Sequence, residues 1–199
     1  EYLLSPDEIK EKSAEELNAV INKQFDFDNF RTQQEKGIVI KEKYRADGLH
    51  RVLYKCPHCM AEGKTVGEGT TLTCKECGTV YELTENGFLK CLTGDTRINH
   101  IPDWYKWERE CVWKELVENT YLLDIDVDIS MLVNTKALYN IGEGRLQHNE
   151  NGFRITGCDG ALDYSLPPQA SYSLYADYFW YEIADMICIG NHDALYYCF

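Results

Sequence analysis

The sequence predicts a mainly β protein with a few helices, and three observations carry this prediction. Two Cys-x-x-Cys pairs enclose a stretch rich in glycine and threonine, between Cys56 and Cys77. From Leu123 to Val133 apolar residues alternate with polar, mostly acidic ones, which is the two-residue period of a half-buried strand. Short strand-like segments then recur as far as Phe199, separated by glycine, asparagine and proline. Together they predict a small cysteine-bearing unit, one long helix, and an antiparallel β-sandwich or barrel.

The composition is that of a folded protein with an acidic surface. The 199 residues are 44% hydrophobic and 27% charged, which excludes a disordered or low-complexity chain. A formal net charge of −13 argues against nucleic acid as a partner, because phosphates attract basic surfaces. Residues 36–55, here called the basic collar, carry six basic residues against two acidic ones. The collar is either a solvated loop or a contact to phosphates or to a membrane surface.

Residues 1–50 are predicted to form a helical lead-in to the cysteine-bearing unit. Ser5 and Ser13 are each followed three residues later by a glutamate, Glu8 or Glu16, which is the pattern of a capping box at a helix start. We expect one apolar helix face, formed by Leu17, Val20, Ile21 and Phe25.

Two further expectations concern the ends of this lead-in. Residues 37–40 are predicted to form a short strand, and the polar residues that follow, up to Gly48, to form a linker. Because residues 2–6 resemble the interior of a chain, we expect this sequence to be a piece of a longer protein.

The cysteine pairs within residues 51–95 predict a metal site. Cys56 and Cys59 are followed by fourteen residues and then by Cys74 and Cys77, close to the spacing of four-cysteine zinc sites. Two thiolates two residues apart bend around one ion, and two such loops supply the four sulfurs of a tetrahedral site. We therefore predict a rubredoxin-like zinc ribbon. Its Zn²⁺ is structural, since no ligand position is left for water or substrate.

Two alternatives explain the same cysteines less completely. Disulfide bonds would leave one of the nine cysteines unpaired, and a thioredoxin-like redox pair needs only one Cys-x-x-Cys. His58 could replace a sulfur, but with four thiolates at hand it is interpreted as a neighbour of the site. The other cysteines are predicted to be small buried apolar residues in a reducing compartment, the cytoplasm. They are Cys91, Cys111, Cys158, Cys188 and Cys198.

Residues 96–199 are predicted to hold the long helix and the antiparallel β domain, with a PH-like barrel as one possibility. The helix begins near Pro102 and has a broad aromatic face, so we expect other structure to cover most of it. This face is formed by Trp104, Trp107, Cys111, Leu116 and Val117, and is widened by Tyr105, Val112 and Trp113. After the strand at 123–133, strands are predicted at 136–141, 145–148, 153–156, 161–166, 171–176, 183–189 and 194–199. Residues 142–144 are interpreted as a turn, and Asn151-Gly152 as a hairpin signal.

No constellation of catalytic residues stands out in the sequence. Asp124, Asp126 and Asp128 lack the glycine and the closing glutamate of an EF-hand, and are interpreted as a solvated strand face. Neither a phosphate-binding glycine loop nor a Gly-x-Ser-x-Gly motif occurs, and the five histidines are scattered. A hydrolase or transferase complete in this chain would need a polar pocket with a perturbed base in the β domain.

Four stretches resemble one protein family. They are residues 45–59, the second cysteine pair, residues 100–109 (HIPDWYKWER) and residues 147–153. Their order is similar to that in the C-terminal extension of lysophospholipid (1-acyl-sn-glycerol-3-phosphate) acyltransferase-like proteins of Gram-positive bacteria, over nearly the whole of residues 1–199. Zinc ribbons are common to many families, whereas the His-Ile-Pro-Asp-Trp-Tyr stretch is more specific. Residues 1–35 would then be the tail of the acyltransferase core.

The resemblance implies an accessory region of an enzyme and not its catalytic part. The family works with a His-x4-Asp motif, yet none of the five histidines here has an aspartate five residues later. We therefore expect a non-catalytic accessory or interaction region of a phospholipid-synthesis acyltransferase-like protein whose active site lies upstream. The implied partners are that upstream domain and, through it, the cytoplasmic face of the membrane. The alternative is a zinc-ribbon module that binds nucleic acid or protein.

Overall fold

Two antiparallel sheets and four helices make up the described part of the chain in the computed structural model, which covers residues 2–134, 136–168, 174–180, 184–191 and 193–199. The chain divides into two compact units, one ending at Glu110 and the other spanning Cys111–Phe199. The prediction of a mainly β protein with a few helices is confirmed.

The lead-in contains three of the helices, and the starts of the first two were correctly predicted. They are α1 (Pro6–Glu11), α2 (Ala14–Phe25) and α3 (Asn29–Glu35). The Ser5 hydroxyl accepts the Glu8 N–H and the Glu8 carboxylate accepts the Ser5 N–H, and Ser13 and Glu16 repeat this capping box. No residue of α2 is buried, and Phe25 is 82% exposed.

The prediction of a strand at residues 37–40 is wrong. Ile38 N–H donates to Gln33 O and Ile40 N–H to Glu85 O, without the repeated pairing of a ladder. The predicted linker after it is folded, because Ala46 is completely buried and its N–H donates to Gly69 O.

The first unit is built on a four-stranded antiparallel sheet with the strands in chain order. The strands are β1 (Thr65–Glu68), β2 (Thr71–Cys74), β3 (Val80–Leu83) and β4 (Leu89–Cys91). Leu53, Leu72, Tyr81, Leu89 and Trp104 pack in its buried cluster. Cys74 ends β2, and the segment that carries Cys77 joins β2 to β3.

Helix α4 (Ile101–Val117) is present, but the expectation that most of it is covered is wrong. Its buried residues are Ile101, Trp104 and Glu108, which follow one face at intervals of three and four. Tyr105, Trp113, Leu116 and Val117 are exposed. The aromatic pattern identified the helix, whereas which side chains meet a neighbour is decided by the rest of the fold.

The second unit is a seven-stranded antiparallel sheet with the order β8-β7-β6-β5-β11-β10-β9. The strands are β5 (Leu123–Val133), β6 (Ala137–Asn149), β7 (Gly152–Gly157), β8 (Leu162–Leu166), β9 (Tyr175–Trp180), β10 (Ala184–Gly190) and β11 (Ala194–Cys198). Residues 171–173 of the predicted strand at 171–176, and residue 183 of the one at 183–189, lie outside the described residues. Because β11 pairs with β5, the last strand of the chain lies at the centre of the sheet.

The alternation predicted for β5 is confirmed at its centre, where Val127 and Ile129 are buried and Asp126 and Asp128 are exposed. The sheet also curls. Three strands separate β8 from β11, which a flat sheet would place about 19 Å apart. Yet the rings of Tyr164 and Tyr196 on these strands lie 5.2 Å apart. The described residues of the second unit thus form one curved, barrel-like sheet and not two stacked sheets.

The interpretation of residues 142–144 as a turn is wrong, because they lie inside the long strand β6. The pairing of β6 with β5 shifts register between Ile129 and Ser130, so the glycines accommodate a bulge. Gly144 also pairs with Gly157 on β7, and the Ile129 side chain lies over both. A Cβ on Gly144 would lie 2.4 Å from Ile129 Cδ1, so only glycine fits there.

Candidate metal centre

Four cysteine sulfurs converge beside the first sheet. The Sγ atoms of the predicted set, Cys56, Cys59, Cys74 and Cys77, all lie within 4.8 Å of one another. Cys56 Sγ is 3.7 Å from Cys77 Sγ, and Cys59 Sγ is 3.7 Å from Cys74 Sγ. Four thiolates that bind one ion at about 2.3 Å have neighbouring sulfurs about 3.8 Å apart, the edge of a tetrahedron. The cluster fits a metal ion bound by four sulfurs.

The first cysteine loop, residues 56–61, closes through its own backbone. Met60 N–H donates to Cys56 O, and Cys56 N–H donates to Ala61 O, both at 2.9 Å. Met60 has a φ of 66°, a backbone conformation that residues other than glycine rarely adopt. This left-handed residue turns the chain back after Cys59.

The second cysteine loop, residues 74–79, repeats the pattern. Gly78 N–H donates to Cys74 O at 2.9 Å, and Cys74 N–H donates to Thr79 O at 2.8 Å. Gly78, with a φ of 72°, takes the position that Met60 holds in the first loop. The two loops therefore present their sulfurs from equivalent backbones, as a two-loop metal clamp requires.

Each loop contributes one buried and one exposed sulfur. Cys56 and Cys74 are buried, whereas Cys59 and Cys77 are exposed. Burial raises the pKa of the Cys56 thiol to about 12. The Thr79 hydroxyl, 3.1 Å from Cys77 Sγ, lowers the pKa of that thiol to about 6. Since metal ligands are thiolates, a bound cation is what would hold Cys56 ionised at neutral pH.

The first loop is also held by side chains from outside it. His58 Nε2 lies 2.9 Å from the Tyr81 hydroxyl, and Arg97 Nη1 donates to Pro57 O at 2.8 Å. Burial, followed by the Arg97 charge, lowers the pKa of His58. His58 is thus a neighbour of the cluster and not one of its members, as interpreted from the sequence.

Helix α4 reaches the same loop through the peptide of Lys55. Trp104 Nε1–H donates to Lys55 O at 3.0 Å, and Lys55 N–H donates to Glu108 Oε1 at 2.8 Å. Sequence reasoning placed Trp104 in a core and missed Glu108. The available signal was the spacing, because a glutamate four residues after a buried tryptophan lies on the same helix face.

A second buried polar group that the sequence did not reveal joins α3 to the start of α4. His100 Nε2 lies 2.6 Å from Asp28 Oδ2, and Gln34 Nε2 lies 3.1 Å from His100 Nδ1. Since the Gln34 amide donates, His100 Nδ1 accepts and His100 Nε2–H donates to Asp28. Both ring nitrogens of this histidine are therefore occupied within the fold.

The remaining cysteines and the basic collar take structural positions. Outside the cluster, Cys91 and Cys198 are buried and the other three cysteines are half-buried. Within the collar, Lys55 pairs with Glu62 at 2.8 Å, and Arg45 pairs with Glu82 at 3.7 Å. The collar is thus not one uninterrupted basic surface.

The aspartates of β5 belong to no group that could hold a metal ion among the described residues, and two of them pair with an arginine. Arg145 donates to Asp124 at 2.6 Å and to Asp126 at 2.9 Å. An open cavity of about 670 Å³ beside these strands is lined by acids such as Asp128 and by Cys158, but by no histidine. The Cys158 thiol donates to Ile141 O at 3.1 Å.

No helix in the described ranges combines the length and the apolar character that a membrane span requires.

Comparisons with known proteins found no relatives for this chain. No family model, curated protein or solved structure matches the chain.

Proposed function

We propose that this chain is a non-catalytic accessory region, held together by a structural Zn²⁺, of a phospholipid-synthesis acyltransferase-like protein whose active site lies upstream. The observation that carries the metal part is the cluster of four cysteine sulfurs with two 3.7 Å separations. The enzyme part is supported by the resemblance of residues 45–59 and 100–109 to the extension of that family.

Zinc is the ion that this donor set suits best. Four thiolates in a tetrahedron select Zn²⁺ or iron among the common metals, and Zn²⁺ has no redox chemistry to disturb a structural site. Because all four ligands come from the chain, the ion contributes to folding and has no open position for water.

A reducing compartment, the cytoplasm, is the environment we propose. Nine cysteines without a disulfide, two of them exposed in the metal cluster, suit a compartment that keeps thiols reduced. The proposed partner is the upstream acyltransferase domain. Within the collar, Lys36, Lys41 and Lys43 are exposed, and they are the residues that would face an anionic membrane.

Metal analysis tests the zinc proposal. Protein purified without added zinc is expected to hold about one equivalent of Zn²⁺ and to be colourless, since an iron–tetrathiolate site absorbs visible light. Replacing Cys56 or Cys74 by serine should abolish metal binding and impair folding. The matched control is Cys91→Ser, which removes a buried cysteine outside the cluster and should keep the metal. A Cys56–Cys59 disulfide, or folded protein without metal, would overturn the proposal.

The reading frame of the gene tests the proposed parent protein. An upstream segment with a His-x4-Asp motif is expected, and its absence would remove the acyltransferase part of the proposal. The alternative, a nucleic-acid-binding ribbon, predicts DNA or RNA binding that weakens steeply as salt rises. With a net charge of −13, we expect no binding even at low salt.

A further inference from the structure

The peptide of Lys55 precedes the first cysteine ligand and is held on both sides by α4. Its carbonyl accepts the Trp104 indole N–H at 3.0 Å, and its N–H donates to Glu108 Oε1 at 2.8 Å. Trp104 and Glu108 lie one helical turn apart on one face. Two donor–acceptor contacts from a rigid helix fix both the position and the orientation of this peptide.

The two side chains that make these contacts are themselves buried. Trp104 is 1% exposed and Glu108 is completely buried. The Trp104 ring meets the Tyr81 ring edge-on, with centroids 5.0 Å apart. Tyr81 in turn bonds His58 inside the first loop. The first loop is therefore braced at Lys55 and at His58 by one packed group of side chains.

Packing does not explain why the helix carries an acid here. Among the described residues, the buried Glu108 Oε2 has no hydrogen-bond partner, which costs free energy that an apolar side chain would avoid. An apolar residue, however, would remove the oxygen that accepts the buried Lys55 N–H. Glu108 is therefore explained by its Oε1 atom, which accepts the Lys55 N–H.

The second loop is held differently, which gives an internal comparison. Its backbone partners are its own residues and Lys64, whose carbonyl accepts the Lys75 N–H at 2.7 Å. The brace from α4 thus acts on the first loop, which carries the most buried ligand, Cys56.

We propose that Glu108 and Trp104 are positioning residues of the metal centre, which fix the Lys55 peptide so that Cys56 is held in place and metal release is slow. The inference rests on the proposed metal site and adds to it a dependence on α4. Residues that orient ligands without touching the metal typically change affinity 10- to 100-fold when they are removed.

Zinc release from the loaded full chain to a colorimetric chelator at fixed concentration tests the inference. Glu108→Ala should release zinc about 10- to 100-fold faster than the unchanged chain. Glu108→Gln keeps an oxygen that accepts the Lys55 N–H and should stay within about threefold of the unchanged rate. Trp104→Phe removes the indole donor and keeps an aromatic ring in the core, so it should fall between these two.

The control is Leu89→Ala, a core change in the same cluster on β4, which should lower the unfolding midpoint without speeding release. Equal acceleration by Leu89→Ala and Glu108→Ala would overturn the inference, as would failure of Glu108→Gln to retain zinc. If Glu108→Ala does not fold, an unchanged release rate for Trp104→Phe overturns it equally. An unchanged chain that never loads zinc would instead contradict the proposed metal site.

Discussion

Glu108 is the one carboxyl group that is buried among the described residues. Burial raises its pKa to about 7, although the Lys55 N–H bond acts in the opposite direction. In an unfolded chain a glutamate titrates near pH 4.3, so the folded state binds this proton more tightly. The contribution of Glu108 to stability is therefore full below about pH 4 and is lost as the pH rises through about 7.

Glu108→Gln isolates this effect because glutamine does not titrate. We expect the free energy of unfolding of the unchanged chain, minus that of the variant, to fall between pH 5.5 and about 7 and then to level off. Urea unfolding with saturating zinc at each pH measures the difference, and both proteins share the pH dependence of the thiolates. A difference that rises with pH would contradict the assignment.

Gly78 and Met60 occupy the same left-handed position in the two cysteine loops. Substitutions at the two positions should therefore change stability in opposite directions. Apart from its chain neighbours, no described residue has an atom within 4 Å of a Cβ on Gly78, so Gly78→Ala should cost only the conformational penalty, about 1–2 kcal/mol. Met60→Gly removes that penalty from the first loop and should stabilise it, or leave it unchanged after the entropy cost of glycine.

Gly94 supplies the control for both loop variants. A Cβ on Gly94 would also meet nothing within 4 Å, but its φ lies outside the left-handed region. Thermal unfolding should therefore show Gly94→Ala within about 0.5 kcal/mol of the unchanged chain. A Gly78→Ala variant that is equally neutral would refute the role assigned to the left-handed residue.

Between elements, the contact of His100 with Asp28 couples the start of α4 to the start of α3. Burial raises the pKa of Asp28, but the Arg31 N–H and His100 hydrogen bonds outweigh it and lower the pKa overall. The stabilisation by Asp28 is therefore present above about pH 4 and is lost as the pH falls through the lowered value.

A double-mutant cycle measures this contact. Asp28→Asn keeps a side-chain oxygen for the Arg31 N–H, so it removes the charge while the helix cap remains. We expect His100→Ala to cost about 2–3 kcal/mol and the pair to show a coupling of about 1–2 kcal/mol. Ser5→Ala, which removes an exposed cap on α1, should show no coupling to His100→Ala.

The same elements show which features a sequence discloses. The capping boxes at Ser5 and Ser13 depend on residues three apart, and the metal site depends on two short pairs, so both were predictable. The contact between Asp28 and His100 joins residues far apart in the chain and leaves no local pattern. The glycines at 142–144 read as a turn because the bulge that uses them is decided by the partner strand β5.

At the scale of the whole molecule, the two units have separate cores. One cluster contains Leu72 and Tyr81, the other contains Ile129 and Ile155, and they share no residue. The proposed zinc lies in the first unit. We therefore expect a strong chelator to unfold the first sheet and to leave the second sheet folded.

Amide hydrogen exchange measures this separation. Protection at Leu72 and Tyr81 should be lost on chelation and restored when zinc is added back, while Ile129 and Ile155 stay protected throughout. Equal loss of protection in both sheets would contradict separate stability, and unchanged protection in the first sheet would contradict a structural role for the metal.

The order of the strands in the second sheet was beyond sequence reasoning for a physical reason. Alternation at β5 showed that the strand has a buried and an exposed face, but it carries no information on neighbours. The placement of β11 beside β5 joins segments about 65 residues apart and is fixed by side chains that meet only after folding. Fold class was therefore accessible, and strand order was not.

The two glycines under Ile129 make the strand register of the second sheet depend on side-chain fit. Gly144 and Gly157 leave a recess across β6 and β7, and the Ile129 side chain from β5 fills it. If β6 slips by one residue, Glu143 or Arg145 faces β5 where the recess should be, and Ile129 loses its cover. The shape of this recess thus disfavours misaligned pairings of these three strands.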